Sequence, residues 1–460
     1  MNNRQLAISD IFAGYGDHAL STDGVLISNN KYFNDPIHGY ISLSDKALQI
    51  IDTPQFQRLR HLKQMGVAYH VFPGASHNRF EHCVGVSYLA NKMAQGLRQR
   101  QPELDINDRD IRCVTLAGLC HDLGHGPFSH VFDRGFIPRV CPGSNWTHEQ
   151  ASEMMLDHAI DKNNIDIDTS DVNFIKQLIR GSDQPVAGEK MFLFDIVANK
   201  RNGLDVDKYD YIGRDCFNIG VKCGYDYSRL MLNSRVIGNE ICYDRKVAYD
   251  ISELYHSRYS LFKRVYGHHA NKCIALMVVD ALVIADPVLK ISDAIFNPDL
   301  YLDLTDEVVR DIVRSHEPEL QPARDIIRRL QTRDLYRFVD EYVLPAELDS
   351  LVTSKSINEA TIVGFRGDGD DFVEHDVLIS FVRYNHGMKK DNPMDHVGFY
   401  SKYSADEKVA MPSDFVSMCG PQRYEERILR IFTRTPSKCK QIREACRRLM
   451  AKINPRFKDE

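Results

Sequence analysis

The sequence predicts a mainly α protein with a helical core and a smaller C-terminal α+β lobe. Two observations predict it. Helix-period apolar patterns dominate residues 53–286, and β-type alternation is confined to the first fifty residues and to the stretch after about residue 290. No internal repeat or low-complexity tract interrupts this order.

Residues 1–24 carry little periodicity and read as a leader. From Val25 to Leu43 two short β-type runs flank Asn34-Asp-Pro-Ile-His-Gly39, a hairpin-like turn. Thr53 followed by Pro54 is a helix start, with Phe56, Leu59 and Leu62 as its buried stripe. A second helix is expected over Arg79–Arg98. A third runs from Asn107 to His121 and is stopped by the glycines of Leu123-Gly-His-Gly-Pro127. Helical patterns continue through Ala151–Ile160, Val172–Arg180, Lys190–Asn199 and Ile251–Asp286. Beyond them, helices are expected over Asp303–Ser315 and Pro322–Val343, and strands over Ala360–Phe365, Val377–Tyr384 and His396–Lys402. A last helical pair is expected over Tyr424–Phe432 and Ser437–Lys452. The expected division is a leader (1–24), a core (25–290) and a C-terminal lobe (291–460).

The chain of 460 residues is 43% apolar and 27% charged, the balance of an ordinary globular protein. No window approaches 18 uninterrupted apolar residues, so no membrane partner is expected, and no signal-peptide pattern opens the chain. Eleven cysteines, an odd number without any C-x-x-C pair, suit reduced thiols in an intracellular compartment, nucleus or cytoplasm undecided. A net charge of −6 argues against nucleic acid as the main partner and leaves room for local basic pockets.

Nine of the 18 histidines lie between His61 and His158, where an even spread would place about four, which points to a local use of imidazole. His121-Asp122 offers a nitrogen and a carboxylate ligand from one rigid segment, a set suited to iron, manganese or zinc. Alone, the pair is equally well a capping aspartate beside a core histidine. Arg79-Phe-Glu-His82 adds a second imidazole on a helix face shared with an arginine, and Asp207, about 85 residues beyond the pair, adds a second carboxylate. Two histidines and two aspartates make a four-ligand site with room for water and phosphate.

The order H…HD…D resembles the HD superfamily, and longer stretches resemble one branch of it. These are Asn34–Gly39, Asp52-Thr-Pro-Gln-Phe-Gln-Arg-Leu-Arg60, Val71–His82, Ala117–His130, Trp146-Thr-His-Glu-Gln150, Asn199–Gly203 and Asn392–Lys402. The chain is similar to the catalytic portion of the SAM-and-HD-domain deoxynucleoside triphosphate triphosphohydrolase family, and the stretch before residue 25 is too short for the SAM module. The resemblance implies an HD-domain helical core and release of a deoxynucleoside and inorganic triphosphate from a dNTP. It also implies a divalent metal (iron, manganese, zinc or magnesium) on His82, His121, Asp122 and Asp207.

It further implies His125 as general acid paired with Asp215 or a nearby carboxylate, with His130 and His148 in support. Arg79, Lys208, Tyr211 and Arg258 would grip the triphosphate and sugar, and Gln64, Met65 and Tyr266 would wall the sugar. Met65 stands where the family has leucine, and Gly267 where it has glutamine. Regulatory pockets for GTP and dNTP, driving a homo-tetramer or a dimer–tetramer equilibrium, match Lys31, Tyr32, Asn34, Asp52, Gln57, Arg60, Val71, Phe72, Arg229, Lys246, Arg264, His268, Arg324, Arg328 and Lys402. In that region Asp244, Asp250 and His269 replace arginine, asparagine and lysine, which should weaken polyphosphate binding. The alternatives are an HD phosphodiesterase or nucleotidase, and a nucleotide- or nucleic-acid-binding scaffold with weak catalysis.

Overall fold

Strands β1 (Lys31–Asp35) and β2 (Gly39–Leu43) pair antiparallel across a tight turn, as the sequence predicts. The computed structural model describes residues 31–458 apart from 183, 185–187, 410, 412–415 and 418. The expected leader and the first residues of the first β run lie outside the described residues.

Helix α1 spans Asp45–Ile51 and α2 Pro54–Gln57. The Thr53 side chain caps α2 by accepting from the Phe56 amide. The expected longer helix ends early, passing into a tighter 3-10 turn over Arg58–His61. Helices α3 (Arg79–Arg100) and α4 (Asp108–Cys120) are the long central pair, with Asn107 capping α4 and His121 at its C-terminal end. Around them pack α5 (Ile137–Val140), α6 (His148–Asn163), α7 (Thr169–Arg180), the short α8 (Phe194–Val197), α9 (Val206–Ile219) and α10 (Tyr227–Leu232). Strands β3 (Ser234–Ile237) and β4 (Glu240–Asp244) follow.

The single helix expected over 251–286 is two, α11 (Ala248–Leu261) and α12 (His269–Leu289). A wide turn over Phe262–Tyr266 and Gly267 separate them, and His268 caps α12. Helices α13 (Pro298–Leu302), α14 (Val308–Arg314) and α15 (Gln321–Gln331) then pack on the same side chains as the preceding helices. After α15 the chain turns at Arg333, whose φ is +64°, into β5 (Arg337–Leu344) rather than continuing as helix. Residues 359–363 form helix α16 (Glu359–Val363), capped by Asn358, where a strand was expected. Strands β6 (Val377–Asn385), β7 (Phe399–Ser401), β8 (Ser404–Val409) and β9 (Glu425–Thr433) lead to α17 (Cys439–Ile453). Thus the last expected helical pair is a strand, Glu425–Thr433, followed by a single helix.

Two hydrophobic clusters result. The larger runs from Ile41 through the helices to Tyr336 and takes in Leu378, Met394, Val397, Phe399 and Phe432, and the smaller gathers β5, β6, β9, α16 and α17 around Tyr342, Phe372 and Ile442. The fold is mainly α, as expected. The smaller cluster lies on an antiparallel sheet of order β5-β9-β6. A second sheet, β3-β4-β7-β8, carries the C-terminal region back onto the helical core through a parallel pairing of β4 with β7.

Candidate metal centre and active site

Three helix ends meet in the interior: the first turn of α3, the last residue beyond α4 and the first turn of α9. They carry His82, His121-Asp122 and Asp207. Ligand atoms of His82, His121 and Asp122 lie within 4.8 Å of one another. Asp207 Oδ1 stands 3.2 Å from His82 Nε2 and 3.5 Å from His121 Nε2. Asp122 Oδ2 stands 3.4 and 3.5 Å from the same two nitrogens.

Both imidazoles are held from behind by Nδ1. That of His121 donates to the Gly118 carbonyl at 2.9 Å, and that of His82 to Asp210 at 2.8 Å. His121 Nε2 is buried without a hydrogen-bond partner. Two imidazole nitrogens facing two carboxylates are the donor set of a borderline divalent cation, and the orphaned nitrogen fits that reading. The charge balance agrees. Burial alone would lower the His82 pKa, yet Asp122, Asp207 and Asp210 raise it well above its ordinary value. Burial would raise Asp122 as well, but Arg79, His121 and His125 hold it well below the carboxylate range.

A second histidine group adjoins the first. His125 Nε2 lies 3.2 Å from Asp122 Oδ1, and its ring stacks on His148 at 4.1 Å between centroids. His130 stands edge-on to His125 at 5.3 Å. Asp133, in a wide helical turn over Phe132–Phe136, accepts from His130 Nδ1 at 3.0 Å and from His148 Nδ1 at 3.1 Å. Burial would raise the Asp133 pKa, but these two bonds hold it well below the ordinary value. Burial, then Arg79 and His148, push His125 well down, so its imidazole is neutral at pH 7.

The two groups are locked together by backbone. Gly124 follows the His-Asp pair directly, and a Cβ there would meet Ser152 N at 2.1 Å and the His148 carbonyl oxygen at 2.3 Å. Ser152 Oγ accepts from the Gly124 amide at 2.9 Å and donates to the His121 carbonyl at 2.7 Å.

Asp215 does not partner the histidine cluster. It is buried between His77 Nε2, at 2.6 Å, and the Tyr266 hydroxyl. The carboxylate beside the cluster is Asp133, and its spacing three residues after His130 was the available signal. His77, Asp210 and Arg214 also belong to the surroundings of the site and were not singled out.

Arg79 is buried, with its guanidinium against Asp122 and Ser129 Oγ. Lys208 pairs with Asp205 at 3.0 Å, and both Lys208 and Arg258 exert their charge on Tyr211. Arg258 also donates to the Asn385 carbonyl at 2.8 Å and lies over the Phe262 ring. The Gln64 side-chain oxygen is buried without a partner, and Met65 is buried beside it. At Gly267 the space for a side chain is taken by the Tyr384 hydroxyl, which accepts from Arg430 at 2.8 Å.

Farther out, Arg60 Nε donates to Gln57 Oε1 at 2.8 Å and stacks over Phe80, and Lys31 stands 3.7 Å from Asp52 on the surface. Tyr32 is exposed, Asn34 lies in β1 opposite Tyr40, and Val71 and Phe72 are half-buried, with Phe72 edge-on to His268. Arg229 pairs with Asp250 at 3.3 Å and Lys246 with Asp244 at 3.4 Å. His269 stacks on Phe338 and reaches Glu341. Arg328 pairs with Asp325 on the surface, Lys402 lies over Tyr403, and Arg264 exerts its charge on Cys216. Arg324 is buried and donates to the Ser315 and Glu317 carbonyls, which close the α14–α15 connection.

A helical fold with His and Asp ligands at converging helix ends defines an HD-type metal-dependent protein, and residues 79–196 match the family model described as HD domain. The chain is 40% identical over 434 residues to the deoxynucleoside triphosphate triphosphohydrolase SAMHD1 homolog of Dictyostelium discoideum, covering 94% of this chain and 83% of that protein. It is 39% identical over 457 residues to deoxynucleoside triphosphate triphosphohydrolase SAMHD1 of Homo sapiens, covering 90% and 71%. With that of Danio rerio it shares 40% over 441 residues, covering 87% and 70%. The chain belongs to the SAMHD1 family of deoxynucleoside triphosphate triphosphohydrolases.

Proposed function

We propose that this chain converts dNTP and water into a deoxynucleoside and inorganic triphosphate. What carries this reading is the four-ligand cluster beside the Asp133 histidine group, in a chain 40% identical to a relative of that name over 94% of its length. His82, His121, Asp122 and Asp207 would hold a divalent iron, manganese, zinc or magnesium ion. Such an ion supplies Lewis acidity at a phosphate oxygen and favours deprotonation of water.

The protein's own groups do the rest. Arg79, Lys208 and Arg258 neutralise the triphosphate, and the first turns of α3 and α9 add the positive ends of their dipoles. Attack at the α-phosphorus breaks its bond to the 5′ oxygen, which needs a proton as it leaves. His125 is tied through Nε2 to Asp122, one of the proposed metal ligands, which makes it the poorer donor. The acid is drawn from His130 and His148, both of which are held by hydrogen bonds to Asp133. Tyr211, Gln64, Met65 and Tyr266 wall the sugar, and Asp215 fixes the Tyr266 hydroxyl. Incubation with each dNTP under several divalent metals is expected to release deoxynucleoside and triphosphate. Release of monophosphate or orthophosphate would instead favour an HD phosphodiesterase or nucleotidase.

GTP and dNTP effectors acting on a dimer–tetramer equilibrium are part of the same proposal. The Gln57–Arg60 pair, with Lys31, Tyr32 and Asp52 near the surface, supports a guanine-nucleotide pocket. Asp250 and Asp244 compete for Arg229 and Lys246, so effector affinity is low. GTP with dNTP is expected to raise sedimentation and turnover together. Asp250→Asn is expected to lower the effector concentration required by at most about fivefold, the worth of a partly exposed ion pair. Unchanged sedimentation and turnover would remove the regulatory reading. Among the described residues no helix is long and apolar enough to cross a membrane. The eleven cysteines are all free thiols, which supports an intracellular site, nuclear or cytoplasmic.

A further inference from the structure

Behind the metal centre lies a buried ionic network to which nothing above assigns a role. Asp210 is fully buried, and each of its oxygens receives two N–H donors. Oδ2 accepts from His82 Nδ1 and from Arg214 Nε, both at 2.8 Å. Oδ1 accepts from His38 Nε2 at 2.6 Å and from Arg214 Nη2 at 2.8 Å. Only an ionised carboxylate can accept in this pattern, so His82 carries its proton on Nδ1 and presents Nε2 to Asp122 and Asp207.

Arg214, also fully buried, spends its remaining nitrogen on Asp35 Oδ2 at 2.8 Å. The other oxygen of Asp35 accepts from the amides of Ile37 and His38, at 2.8 and 2.9 Å, and so shapes the hairpin turn. His38 in turn meets the Tyr227 hydroxyl through Nδ1 at 2.9 Å. Space for the network is provided by Gly85, one turn past His82, where a Cβ would lie 2.0 Å from Asp210 Oδ1 and 2.5 Å from Arg214 Nη2. A buried charged pair is costly to desolvate, and hydrophobic residues of similar volume would stabilise as well or better. Stability alone therefore does not account for it.

We propose that Asp210 is a positioning residue that sets the tautomer and ring orientation of His82 for the metal. Arg214, Asp35 and His38 hold Asp210 and thereby build the β1–β2 turn into the metal centre's support. The turn that follows the strand carrying Lys31, Tyr32 and Asn34 is thus two hydrogen bonds from a metal ligand, His38 to Asp210 and Asp210 to His82. This rests on the metal-centre reading.

The test is Mn²⁺ titration of the full chain by electron paramagnetic resonance, with circular dichroism to select folded variants. Asp210→Asn is expected to weaken Mn²⁺ binding about 10- to 100-fold, the usual cost of losing an outer-shell partner, while excess Mn²⁺ restores occupancy. His38→Ala is expected to give a smaller loss in the same direction. His38→Gln, whose amide can still donate to Asp210, should recover most of it. A purely structural network would lower melting temperature without moving the affinity of the folded protein. Wild-type affinity in Asp210→Asn, with binding lost in Asp207→Ala, would overturn the positioning role alone. If Asp210→Asn does not fold, wild-type affinity in His38→Ala overturns it. Absence of Mn²⁺ binding by the wild type would overturn both this proposal and the metal centre.

Discussion

Asp207→Ala is expected to lose both metal and hydrolysis, with turnover falling on the order of 10³-fold or more, as befits several kcal/mol of Lewis-acid stabilisation. The fold should survive. The Asp207 side chain is 32% exposed, its carboxylate faces His82 and His121, and Asp205 caps α9 without it. Removing it leaves two imidazole nitrogens facing a single carboxylate, Asp122, which Arg79 already engages. Metal content by elemental analysis, turnover and circular dichroism check the three parts together. Retained turnover would remove Asp207 from the site.

The second large effect is expected at Asp133. Asp133→Asn keeps the volume but removes the charge that faces His130 and His148, so turnover should fall on the order of 10²-fold. The pH profile carries the sign. The His130 side chain is 48% exposed, yet the surrounding protein desolvates it enough to lower its pKa, against the pull of Asp133. Without that pull the pKa falls further, the protonated donor is lost at lower pH, and the alkaline limb of the profile moves down. An unshifted limb with full turnover would take Asp133 out of the proton path.

Much of the metal centre was legible because its ligands sit at helix ends with strong local signals. Asn107 begins α4, the glycines after Asp122 end it, and Arg79 and His82 share the first turn of α3. Their supports were less legible. Asp133 lies three residues after His130 whereas Asp215 lies far from every histidine of the cluster, and the wide turn over Phe132–Phe136 brings Asp133 to face them. Asp210 and Arg214 are four apart on a helix, a spacing that usually marks a solvated surface pair, whereas here both are buried.

The misread elements have a common cause. In β9 the apolar residues Ile428, Leu429, Ile431 and Phe432 suit a helix stripe and equally a strand buried on both faces, and β5 and β6 flank β9 on either side. Sequence periodicity cannot separate those two, because the strands that pair with β9 and make it the centre of a sheet lie 40 to 96 residues away.

The contact at Gly124 sets a limit on how this enzyme can change. Side chains around the substrate can be exchanged one at a time, and a new specificity can be reached by small steps. Position 124 permits no such path, because the obstacle to any Cβ there is main chain from α6 rather than a side chain that could shrink in compensation. A saturation library would return glycine there, and a designer wishing to move the acid relative to the metal would have to move a whole helix to do it.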